Sequence, residues 1–120
     1  MIRPEFARHF ASEWIAAWNA HDLDRILAHY TDDFEMASPV VAKIVQEPSG
    51  ILRGKPAIRS YWAQALASNP DLRFELIDVL CGDRSVTLLY RGHRGLSAEV
   101  FWFDGDGRVV RAAAHYVNPP

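Results

Sequence analysis

A single cysteine, Cys81, occurs in the 120-residue chain. One thiol can neither close an intrachain disulfide nor assemble a zinc or iron–sulfur centre, so disulfide-stapled and cysteine-liganded classes are excluded. An excess of positive charge is missing too, with thirteen Lys and Arg against fifteen Asp and Glu and a net charge of -2. Without a cationic surplus to displace counterions from phosphates or to hold an anionic bilayer, neither nucleic acid nor a membrane is expected as partner. No stretch approaches the about 20 apolar residues that cross a bilayer, and Met1 to Phe6 is not the apolar run of a signal peptide. A cytoplasmic protein is expected. His9, His21, His29, His93 and His115 are scattered, with no pair at ligand spacing on one face, and no phosphate loop, nucleophile elbow or triad pattern is present. Neither a metal nor another cofactor is expected.

What remains is an ordinary globular composition, 49% hydrophobic and 23% charged. A chain of this size buries roughly two-thirds of its unfolded surface and has room for one domain, residues 1–120. Behind Pro4, a helix-starting residue, Phe6, Phe10, Trp14 and Trp18 recur every four positions, with Ala7, Ala11 and Ile15 widening the stripe. This predicts an amphipathic helix ending near Asn19-Ala20-His21, where Asp22 caps a short second helix carrying Leu23, Ile26, Leu27 and Tyr30. Alternation from Thr31, with Phe34 and Met36 on one face, predicts a strand that Pro39 stops. Residues 40–53 read as a short strand or a flexible lip, and Gly54-Lys55-Pro56 opens a third helix with Ile58, Tyr61, Trp62, Ala65 and Leu66 on its apolar face. Four strands are predicted after it, Leu72 to Cys81, Ser85 to His93, Ser97 to Asp104 and Arg108 to Val117, as an antiparallel meander. Helices followed by a run of strands imply an α+β fold with the helices on one face of a curved sheet.

Three stretches carry a resemblance. They are Trp18-Asn19-Ala20-His21-Asp22-Leu23-Asp24 leading to His29-Tyr30-Thr31-Asp32-Asp33, then Arg53-Gly54-Lys55-Pro56-Ala57-Ile58-Arg59-Ser60-Tyr61-Trp62, then Phe103-Asp104-Gly105-Asp106-Gly107-Arg108-Val109-Val110. In this order they resemble the SnoaL-like and ketosteroid-isomerase-like branch of the nuclear-transport-factor-2 superfamily. The resemblance implies an NTF2-like cone, three helices on a strongly curved antiparallel sheet around one mostly apolar pocket. Superfamily members include isomerases, polyketide cyclases, dehydratases, epoxide hydrolases and non-catalytic binding domains, so the fold alone does not choose a reaction.

In ketosteroid isomerases a carboxylate base follows the first strand just before a proline, and the matching position here is Ser38. A serine hydroxyl is too weak a base for that task without a partner to deprotonate it, and a structural hydrogen bond near a strand end is the competing reading. The family's two oxyanion donors, a tyrosine on the first helix and a protonated acid on a late strand, match Trp14 and Glu99. Alternation along Ser97 to Asp104 puts Glu99 on one face with Phe101 and Phe103, where a lone carboxyl is either a neutral donor or paired with Arg91 or Arg111. The resemblance further assigns Tyr61, Tyr90 and Tyr116 to the pocket lining and Tyr30 and Trp62 to support of the first-helix donor; Leu88 and Phe101 are expected as apolar neighbours of Glu99. His115 alternates with Tyr116 and is expected to face away.

The function expected is that of a small-molecule pocket protein, either a cofactor-free isomerase- or cyclase-like enzyme acting on an apolar carbonyl compound or a non-catalytic binding module. Trp102 and neighbouring aromatics have no place inside the cone if Glu99 and Phe101 face the pocket, so a homodimer packed through the outer sheet face is expected.

Overall fold

The computed structural model describes residues 1–120. Helix α1 runs Pro4–Asn19 and α2 Leu23–Leu27. Strand β1, Tyr30–Ala37, leads through a wide π-type turn at Val41–Val45 to β2, Ile51–Arg53. Helix α3, Lys55–Ser68, precedes the meander β3 (Glu75–Cys81), β4 (Ser85–Gly92), β5 (Gly95–Phe103) and β6 (Val109–Tyr116). One six-stranded sheet results, in the order β2-β1-β6-β5-β4-β3.

The three family-like stretches turn out to be joints. At the first, Ala20 to Asp22, the Asn19 amide donates to the Phe74 carbonyl at 3.0 Å and accepts from the Phe74 N–H at 2.7 Å, while His21 Nε2 meets the Leu72 carbonyl at 2.9 Å. The Asp22 side chain caps α2 by accepting from the Arg25 N–H. Gly54 takes φ 84°, which a residue with a Cβ rarely adopts, and donates its N–H to the Phe34 carbonyl as α3 begins. Asp104 Oδ1 accepts from the N–H groups of Asp106 and Arg108 and so closes the β5–β6 turn.

The stripe on α1 packs onto the concave sheet face. Phe10 sits edge-on against Phe101 and Phe103, and Trp14 lies among Trp18, Phe74, Tyr90 and Phe101 at ring separations of 5.3 to 6.0 Å. Such pairs contribute about 1 kcal/mol each beyond the area they bury.

Three expectations are corrected and one is met in part. The sheet is mixed, because β6 runs parallel to β1 while every other pair is antiparallel. Alternation reports which face a residue takes and is blind to the direction of the neighbouring strand. Tyr30 opens β1 instead of lying on α2, drawn into the sheet by pairing with Val109. Residues 40–53 do hold a short strand, β2, but the π-type turn that precedes it was not expected. Strand β3 starts at Glu75 and not at Leu72, since the Asn19 clip holds Phe74 just before it.

Outward-facing residues form rows across the strands. One row runs Leu80, Thr87, Val100, Ala113, Ala37 and Ile51, wholly uncharged. The next carries Trp102, Arg111, Glu35 and Arg53, with the Arg111 guanidinium 4.5 Å from the centre of the Trp102 ring and Glu35 paired to both arginines.

Candidate functional site

Strand register stacks the inward side chains in levels. Leu88, Glu99 and Ala114 face one another on β4, β5 and β6; two residues nearer the β4–β5 turn come Tyr90, Ser97 and Tyr116. Ser38, just past β1, follows the pair Ala37–Ala113 and joins the Glu99 level. Above them the sheet, α1, α3 and the π-type turn enclose a cavity of about 630 Å³, within the size range of small-molecule sites.

Among the expected site residues, Trp14, Ser38, Tyr61, Trp62, Tyr90, Glu99 and Tyr116 all reach this cavity. Tyr30, Leu88 and Phe101 do not; they are fully buried in the core layer behind its wall. His115 is exposed on the other face of β6.

Glu99 is 5% exposed and receives one hydrogen bond, from the Tyr90 hydroxyl to Oε1 at 3.2 Å. Burial lifts its carboxyl from the ordinary range to about 7, and the Tyr90 hydrogen bond draws it partly back. Neither arginine weighed as its partner reaches it, for Arg111 turns to Glu35 and Trp102, and Arg91 stands opposite Glu75. Burial, with Glu99 nearby, holds the Tyr90 hydroxyl well above the usual phenol range, so it remains a donor. Tyr61 and Tyr116 are likewise raised by burial, with the Ser38 hydroxyl drawing them back.

The Trp14 donor differs from expectation, while Ser38 makes the structural hydrogen bond weighed for it. The Trp14 indole N–H does not point at an incoming ligand; it donates to the Tyr30 hydroxyl at 2.9 Å, tying α1 to β1. Ser38 Oγ accepts from the Val40 N–H at 3.1 Å, the turn-stabilising role, and no base stands beside it.

Several lining residues escaped the sequence reading. Phe74 precedes a strand and so carries no periodic signal, yet it stacks between Trp14 and Tyr90. Trp18, read as core, lines the lumen, and its indole N–H has no acceptor. Ala114 is visible only as a small residue, although its smallness opens the space beside Glu99. His93 and Arg94 stand at the mouth in the β4–β5 turn. No three His, Cys, Asp or Glu side chains gather as a metal site. A shallower depression of about 460 Å³ between α2 and α3 is lined by charges that answer one another, Arg59 with Asp24 and Lys55 with Asp32 nearby.

The SnoaL-like domain family matches residues 11–117, from the middle of α1 through β6. The chain belongs to the SnoaL-like family. A SnoaL-like protein of unknown function from Burkholderia thailandensis is 56% identical over 97% of this chain and 98% of that one, with a TM-score of 0.95. An NTF2-like protein of unknown function from Burkholderia pseudomallei is 15% identical over 94% and 92%, with a TM-score of 0.75. TerC, crystallised with polyporic acid, is 15% identical over 92% and 91%, with a TM-score of 0.73. The latter two are alike in fold alone, the same α+β architecture. No helix of this SnoaL-like chain is long and apolar enough to cross a membrane.

Proposed function

We propose that the pocket binds a small, flat carbonyl compound and that Glu99 moves a proton on it without a cofactor, as an isomerase or cyclase does. The observation that carries this reading is a lone, buried carboxyl on the cavity wall with a value of about 7. Such a group is part acid and part base at neutral pH, the condition in which general acid–base transfer is most effective. Tyr90 would hold the carboxyl in place and stabilise it once ionised, and the surrounding rings would stack on the ligand. Trp14 then positions Tyr30 and the first helix instead of touching the reacting atoms. That TerC was crystallised with polyporic acid fits an organic occupant. The cytoplasm is the proposed place of work and a homodimer the proposed state.

One observation favours a second reading, a binding module without chemistry. Ser38 occupies the position of the family's base with its oxygen already hydrogen-bonded to the Val40 N–H, leaving Glu99 to serve alone.

An infrared titration of the carboxyl band tests the first reading, with a neutral band expected to vanish near pH 7 and to be absent from Glu99→Gln. Ionisation at an ordinary carboxylate value sinks it. Exchange of the α-hydrogens of β-tetralone in heavy water separates the two readings. The parent is expected to accelerate exchange at least tenfold over Glu99→Gln, whereas a ketone that binds and exchanges no faster favours the module.

A further inference from the structure

The mouth of the cavity carries a charge that proton transfer at Glu99 leaves unused. Arg94 is half-buried in the β4–β5 turn, with its guanidinium carbon 5.7 Å from the centre of the Tyr116 ring. It takes part in none of the chain's ion pairs. Its neighbour His93 is held below the ordinary imidazole value by burial and by the Arg94 charge, so it is neutral at physiological pH. Arg94 is therefore the one permanent cation on this wall, as Glu99 is its one acid.

The two stand at opposite levels. Glu99 lies four positions along β5 from Gly95, which follows Arg94, and an extended strand covers about 13 Å in that distance. Between them lie aromatic faces and the hydroxyls of Tyr61 and Tyr116, both kept protonated by burial and both close enough to feel the Arg94 charge. An uncommitted guanidinium beside two hydroxyl donors is suited to an anion, and its planar fork suits a carboxylate.

We propose that Arg94 makes this pocket selective for amphipathic acids, flat apolar molecules with a carboxylate at the outer end and a carbonyl or hydroxyl oxygen at the inner end. The inference rests on the pocket reading above and adds the ligand's charge and orientation. Partial burial makes the pair stronger than an exposed ion pair, since the surrounding rings lower the local dielectric. A neutral ester in the same pose leaves Arg94 in its present contact with Tyr116 and water.

The test is calorimetric titration with a hydroxynaphthoic acid whose two groups sit at opposite ends of the fused rings, and with its methyl ester. At about pH 6 the probe is ionised and Glu99 is still largely neutral. The parent is expected to bind the acid about tenfold more tightly than the ester, the equivalent of one charge-assisted hydrogen bond, with the gap narrowing as salt is added. Arg94→Gln should bind the two alike, at the parent's affinity for the ester, and Arg94→Lys should recover part of the preference. Equal binding of acid and ester by the parent, or a preference that survives in Arg94→Gln, overturns the inference while leaving the pocket reading intact. Binding of neither form removes the pocket reading and this inference together.

Discussion

Glu99 is asked to ionise where one tyrosine hydroxyl and no cation can answer the charge. Its carboxyl holds a proton to about 7 in the folded chain, against 4.5 as the ordinary value. Between those values the unfolded chain has released the proton and the folded chain has not, so the folded state binds more protons and stability falls as pH rises. The loss is complete above about 7 and amounts to about 3 kcal/mol for this nearly inaccessible group. His29 and His93, lowered by burial, act the other way below 6.5, since there the unfolded chain takes up protons first. Urea unfolding of the parent at several values between about pH 5 and pH 8, set against Glu99→Gln, isolates the Glu99 share. The difference between the two proteins is expected to shift by about 3 kcal/mol in favour of Glu99→Gln across that range; a constant difference shows that the carboxyl is not a buried neutral acid.

Strand β6 presents Ala112 and Ala114 inward where β4 and β5 present Leu88, Tyr90, Glu99 and Phe101. Ala114, opposite Glu99, leaves a gap that forms part of the cavity wall. Replacing Ala114 by Leu should fill it, costing no more than about 1–3 kcal/mol in folding stability and weakening the hydroxynaphthoate at least tenfold by calorimetry. Unchanged affinity places the ligand elsewhere. Amphipathic elements were plain from sequence because their burial repeats, as with Phe10, Trp14 and Trp18 on α1 or Glu99 and Phe101 on β5. The site was only half legible. The resemblance named Trp14 and its support by Tyr30, but that the indole N–H is spent on Tyr30 depends on how β1 enters the sheet. Phe74 and Arg94 sit where no period applies, and a cavity made by the smallness of Ala114 leaves no mark in a pattern of apolar residues.

Across the whole molecule, the uncharged row through Val100 and Ala113 covers the side of the sheet that no helix touches. A second copy laid on this face would cover Val100, Trp102 and the exposed Leu80 together, the way a self-complementary patch is used in twofold dimers. Sedimentation at micromolar concentration is expected to give twice the 13.6 kDa chain mass, and Val100→Glu, which places two carboxylates near the twofold axis, should give the single mass with its circular dichroism intact. A parent that sediments only as one chain removes the dimer. The pocket, lined from within one chain, does not depend on that outcome.

The parallel seam between β1 and β6 bears on how the protein is made. Strand β6 is last in order, yet it lies between β1 and β5 and pairs Tyr30 with Val109 across most of the chain. Strand β1 can pair with β2 and α1 can pack on β3 before β6 takes its place, but the other edge of β1 stays open until β6 joins it. Loop closure of this length is slow compared with the hairpins of β3 to β5. A chain in which β6 has not yet docked therefore presents open edges on both β1 and β5, the kind of edge to which other chains adhere.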